Sequence, residues 1–278
     1  MNVITLMCAV TICYTITSLN DKYAVASAKL TGNEFTFLMC SSMSVFLAAS
    51  LPFQEVRFTL SLPAFASVLL VALCKMLEFQ MSALVLKALS AFELKAWLGV
   101  TLFASYLTDV AYGAQLRFSR LCCILVTVCG LILIARSEHE EKIEYRRILL
   151  PLFLYLLSKY GYGFVIKSFS PYVSPTMQLL PAMILLSLLL LKSVSPAQLF
   201  HKNRSAVCKV VLARIPNTIG MLLENAVIAV SLASYSFIQP MILVTLFLIG
   251  LLRREKQSRL NRLGSLICIA GIVSFQLV

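Results

Sequence analysis

Three features of this 278-residue chain argue for an all-α integral membrane protein with ten transmembrane helices in two inverted five-helix repeats. Composition comes first: 60% of residues are hydrophobic and 13% charged, and mean hydropathy is +0.90. A soluble globular chain carries about 45–50% apolar and about 25% charged residues. The second feature is the length of the apolar runs, about 20 residues each, enough for a helix to cross a hydrocarbon core of roughly 30 Å. They are too long for barrel strands and lack strict alternation. The third is a hairpin of two such runs that occurs twice, about half a chain apart.

The candidate spans are 3–26, 34–53, 62–86, 91–111, 117–135, 148–167, 175–192, 207–230, 233–252 and 260–278. The first follows Met1 almost directly, without the basic n-region or cleavage site of a secretory signal. The third carries Lys75, Glu78 and Gln80; Lys75 and Glu78 are three apart, share a helix face and can neutralise each other. The fourth opens with Glu93 and Lys95, and the sixth contains Lys159 and Tyr160. The eighth carries Arg214, Asn217, Glu224 and Asn225, the first three on one side of a helix, with Pro216 able to free a carbonyl toward a cavity. The ninth has Gln239 beside Pro240.

The most polar interruption, RSEHEEKIEYRR, divides the chain into an N-terminal repeat (1–135), a linker (136–147) and a C-terminal repeat (148–278). Two matches relate the halves. In the repeated hairpin, Leu89 pairs with Leu232, Phe92 with Tyr235, Leu98 with Met241 and Cys129-Gly130 with Ala270-Gly271. A Lys-Tyr dipeptide, Lys22-Tyr23 and Lys159-Tyr160, recurs in the first and sixth spans. Five spans per half put the halves in opposite orientations, the arrangement of alternating-access transporters, whose substrate site lies between the repeats near the midplane.

The final hairpin resembles the drug/metabolite transporter superfamily, which includes bacterial metabolite exporters and organellar nucleotide-sugar and triose-phosphate carriers. Pro240, Glu255, Gly264 and Gly271 match its early proline, terminal acid and glycine-rich tenth span. Motif-level similarity covers about the last 45 residues; length and five-plus-five layout match throughout. In the first half Trp97 replaces the proline, and Asp109 is the acid nearest the position corresponding to Glu255. Lys and Arg crowd the odd-numbered loops, which by the positive-inside rule are cytoplasmic, with both termini outside. Many members of the superfamily have cytosolic termini, so orientation stays open.

Ionisable groups inside a bilayer are costly and mark sites by default. The expected substrate-binding residues are Lys159, Tyr160, Tyr23, Lys75, Glu78, Lys95, Arg214, Asn217, Glu224 and Gln239. Lys75 and Glu78 have a structural alternative as an ion pair, Lys95 as a snorkelling side chain, and the tyrosines as interfacial anchors. A membrane carboxyl such as Glu224 is also a candidate carrier of a coupling proton.

Net charge of +12 sits in loops flanking apolar runs, so membrane lipids account for it and nucleic acid does not. Nine cysteines fall mostly inside apolar runs without metal spacing, and His139 and His201 lie in polar loops. No metal, cofactor or enzyme motif is expected. The expected function is secondary active transport of a small polar solute, anionic or zwitterionic, proton-coupled or by exchange. The protein would be a monomer or homodimer, in a bacterial inner membrane to judge by its compact loops. The alternative is a non-transporting scaffold or lipid-handling subunit, which the low count of 10 glycines favours.

Overall fold

The computed structural model describes residues 2–28, 30–54, 56–85, 89, 91–137, 145–197, 199, 204–252 and 258–278. Within these, the side chains of 21–28, 83, 91, 92, 95, 136, 137, 145–147 and 206 lie outside the description. The helices are α1 (Val3–Ala28), α2 (Gly32–Ser50), α3 (Leu62–Val85), α4 (Ala91–Trp97), α5 (Val100–Ala111) and α6 (Phe118–Ser137). They continue with α7 (Tyr145–Phe169), α8 (Pro175–Leu190), α9 (Arg204–Val230), α10 (Leu232–Leu252) and α11 (Arg259–Leu277). A 3-10 turn, Leu51–Phe53, extends α2. Among the described residues the sole β contact is an isolated bridge between Phe58 and Val173.

Helix occupies each of the ten apolar segments, and among the described residues seven helices are long and apolar enough to cross a membrane: α1, α2, α3, α6, α7, α10 and α11. The other segments fall short for distinct reasons. α5 and α8 have 12 and 16 residues, about 18 and 24 Å at 1.5 Å per residue. α9 is 27 residues long, but Arg214, Asn217, Glu224 and Asn225 interrupt its apolar run. The fourth segment is not the continuous helix expected over 91–111. It breaks at Leu98 and Gly99, giving α4 and α5. Glycine is among the residues that leave a helix at least cost, and a Cβ at Gly99 would lie 2.6 Å from the Leu131 side chain of α6.

The most extensive helix contacts are α6 with α11, α1 with α9, and α3 with α7. Around these, α2 packs on α8 and α9, α3 on α8, α1 on α10, and α5 on α10. The α6–α11 seam brings backbones together. A Cβ on Gly130 would meet Cys268 N at 2.6 Å and Gly264 O at 2.7 Å. A Cβ on Gly271 would meet Thr127 N at 2.8 Å and Cys123 O at 3.0 Å. Small residues allow such approach where lipid supplies no hydrophobic drive between helices.

One end of the bundle is tied by loop contacts. The Ser174 amide donates to Arg57 O at 2.8 Å, Thr59 N to Tyr172 O at 3.3 Å, and the Thr176 hydroxyl to Gln54. The start of α1 and the end of α11 meet at this same end, where the Gln276 amide reaches Met7 Sδ at 3.5 Å.

Candidate functional site

Residues near the middle of six helices line a partly open cavity of about 210 Å³. Tyr14, Thr17 and Ser18 face it from α1, Met39 and Met43 from α2, and Lys75, Glu78 and Phe79 from α3. From the second half, α7 adds Lys159, α9 adds Arg214, Asn217, Met221 and Glu224, and α10 adds Gln239 and Ile242. The volume lies below the roughly 300–1,000 Å³ of drug-sized sites, so it suits a small solute.

Glu78 is the electrostatic centre of one wall. Its Oε2 lies 3.0 Å from Lys75 Nζ, one helical turn earlier, and its Oε1 lies 2.5 Å from Lys159 Nζ on α7. Lys75 has a second anchor, with its ammonium 4.0 Å from the Tyr162 ring centroid, a cation–π contact. The Tyr162 hydroxyl in turn donates to Asn225 Oδ1 at 2.9 Å. Lys159 is held at its backbone: its carbonyl accepts from the Tyr235 hydroxyl of α10 at 3.2 Å.

Across the cavity, the Tyr14 hydroxyl of α1 donates to the Glu224 carboxylate of α9. Arg214 is fully buried, its Nε donating to Val210 O at 3.3 Å and its guanidinium 5.8 Å from the Phe35 ring. The Asn217 amide reaches Met43 Sδ at 3.2 Å. Among the described residues the lining holds three bases (Lys75, Lys159, Arg214) and two carboxyls (Glu78, Glu224), and Glu78 alone faces two ammonium groups.

Seven residues expected from the sequence meet at this cavity: Lys75, Glu78, Lys159, Arg214, Asn217, Glu224 and Gln239. Tyr160 does not line it; its hydroxyl lies 2.6 Å from Thr108 Oγ1 of α5 and its ring stacks on Phe164. The side chains of Tyr23 and Lys95 lie outside the described residues, as does Glu255. Tyr14 is the main residue that sequence reasoning missed. It sits in an apolar run of α1, and its partner lies 210 residues away, so no local pattern marks it. Asp109 and Lys167 were also missed as a pair. Lys167, at the end of the sixth expected span, is in the last turns of α7 and meets Asp109 at 2.5 Å.

No protein-family model matches the chain, and no curated protein does. A solved structure described only as "Crystal structure of protein" is similar over 98% of this chain and 96% of that one, with a TM-score of 0.59 at 15% identity. At that identity the likeness extends to the fold of the whole chain and stops there.

Proposed function

We propose that this chain is a secondary transporter of the drug/metabolite transporter superfamily. All ten helical segments would cross the membrane as two inverted five-helix repeats. It would move a small polar solute, anionic or zwitterionic, by alternating access, with a coupling proton or by exchange. The observation that carries this reading is the convergence of charged side chains from both halves on one mid-bundle cavity. Charges at that depth are expensive unless they face a polar pathway.

The packing supports the repeat. Exchanging the first five segments for the last five turns the α1–α9 contact into α7–α3, and α3–α8 into α9–α2; both members of each pair occur. The glycine seam behaves alike. The 141-residue spacing that pairs Gly130 with Gly271 also relates Thr127 to Cys268 and Cys123 to Gly264, so the two sets of glycine contacts interchange. The cavity walls correspond too: Glu78 of α3 meets α7, and Glu224 of α9 meets α1. The start of α1 and the end of α11 share one end, as an even number of crossings requires.

The test is a thermal-shift screen of purified protein against sugar phosphates, nucleotide sugars, amino acids, nucleosides and quaternary amines. A ligand that binds the folded state alone raises its melting temperature. A shift abolished by Lys159→Ala or Glu224→Ala is expected. A panel without any shift moves weight to the scaffold or lipid-handling role.

A further inference from the structure

The transporter reading leaves open what two ammonium groups on one carboxylate are for. The geometry around Glu78 supplies an answer, which rests on that reading. One carboxylate is shared by two ammonium groups, at 3.0 Å from Lys75 and 2.5 Å from Lys159. The two lysines are not equivalent. The Lys75 side chain is 6% exposed and lies over the Tyr162 ring, which is itself buried and hydrogen-bonded to Asn225. The Lys159 side chain is 16% exposed and forms cavity wall. If Glu78 lets go of one lysine, it is Lys159 that can turn to an occupant, while Lys75 keeps Glu78 neutralised in place. Glu224, engaged by the Tyr14 hydroxyl on the other wall, belongs to a different helix pair.

We propose that the cavity takes a small organic anion whose carboxylate or phosphate replaces Glu78 on Lys159, so that Glu78 is a built-in competitor that sets the threshold for anions. Met39, Met43, Met221 and Ile242 add adaptable apolar surface to a lining that also holds Thr17, Ser18, Asn217 and Gln239, a mixture that fits a small polar organic body more than a bare inorganic ion. A neutral solute of equal size has nothing to offer Lys159 in exchange. The exchange also breaks the one salt bridge described between α3 and α7, while Lys75 stays over the Tyr162 ring, so occupancy changes part of the contact between the two halves.

A purely structural ion pair and a competitor make opposite predictions for Glu78→Gln. The substitution keeps the side-chain shape and removes the charge that competes for Lys159. The experiment titrates purified wild-type protein, Glu78→Gln and Lys159→Gln with glycerol 3-phosphate and with lactate, using glycerol as the uncharged control. Calorimetry gives Kd, and a melting curve verifies that each variant is folded. The expected result is tighter binding of the anion by Glu78→Gln, by about tenfold, at the low end of what close charge pairs contribute to binding. Lys159→Gln should weaken the same anion by about tenfold, and glycerol should bind none of the three. Should Glu78→Gln fail to fold, Glu78→Asp, which draws the carboxylate back by one methylene, replaces it, with a smaller gain expected.

Unchanged or weaker anion binding by a folded Glu78→Gln overturns the competitor role. If another solute of the thermal-shift panel still binds through Lys159 and Glu224, the transporter reading survives that result. Wild-type protein that binds neither anion overturns the assigned substrate class. Preference for a short-chain phosphatidylglycerol over both soluble anions overturns it in favour of a lipid headgroup.

Discussion

α7 carries two lysines eight residues apart, and each meets a carboxylate at 2.5 Å: Lys159 with Glu78, Lys167 with Asp109. By distance the pairs are identical, yet their surroundings differ. Asp109, on the last turns of α5, is saturated. Its Oδ1 accepts from Lys167 and from Leu232 N at 3.0 Å, and its Oδ2 accepts from the Ser231 hydroxyl at 2.8 Å and Ala233 N at 2.9 Å. It therefore caps the N-terminus of α10, where a helix leaves amides unpaired and favours negative charge. Glu78 instead divides its two oxygens between competing cations beside an open cavity. An ion pair is structural when every lone pair is used by a fixed donor, and exchangeable when a cation in excess stands next to space.

Breaking the saturated pair should have the largest effect on stability. Asp109→Ala strands the partly buried Lys167 ammonium and three further donors at the joint of α5, α7 and α10. Removing one partner of a buried pair costs about 3–5 kcal/mol. A steep fall in melting temperature is expected, while the folded fraction keeps wild-type affinity for whichever probe ligand it binds. Equal stability of Asp109→Ala and wild type would erase the distinction between the two pairs.

The next effect in size tests whether the α6–α11 seam is a rigid frame around the cavity. Gly130→Leu must displace the backbone of α11, because its Cβ would already lie 2.6 Å from Cys268 N. Overpacking costs about 1–3 kcal/mol, and in a seam of backbone contacts the helices have to separate. A lower melting temperature with unaltered ligand affinity is expected from melting and titration of the same preparation. A loss of affinity matching the loss of stability would mean that the seam moves with the site.

Much of this is legible in the sequence because bilayer physics makes it so. Run length locates every helical segment, and the cost of charge in lipid picks out Lys75, Glu78, Lys159, Arg214 and Glu224 without any tertiary knowledge. What stays hidden is whatever depends on a distant partner. Tyr14 looks like any aromatic in an apolar helix until Glu224 is set against it. Asp109 looks like a displaced family acid because its partners lie on α7 and at the start of α10. Tyr160 goes the other way: its hydroxyl meets Thr108, one position around the helix from the cavity side that Lys159 occupies. The break at Gly99 is invisible for a related reason, since the crowding from Leu131 is a contact with α6. The low glycine count, which by itself favours a scaffold, is concentrated at close approaches between helices, among them Gly130, Gly264 and Gly271.

The smallest effect sharpens the comparison most cheaply. α2 starts with a capping box: the Glu34 amide donates to the Thr31 hydroxyl at 3.3 Å, and the Thr31 amide donates to the Glu34 carboxylate at 2.7 Å. Neither residue of the pair lines the cavity, but the helix it starts delivers Met39 and Met43 to the cavity wall. Met39 lies eight residues beyond Thr31, about 12 Å along the axis. Loss of such a cap costs typically about 1 kcal/mol. Thr31→Ala should therefore lower the melting temperature slightly and leave anion affinity as it is, because packing of α2 against α8 and α9 holds the methionines in register. If affinity drops while melting barely changes, the apolar wall from α2 governs binding as much as the Glu78–Lys159 exchange does. The contrast between the two ion pairs of α7 would then explain the stability of the bundle but not the selectivity of its cavity.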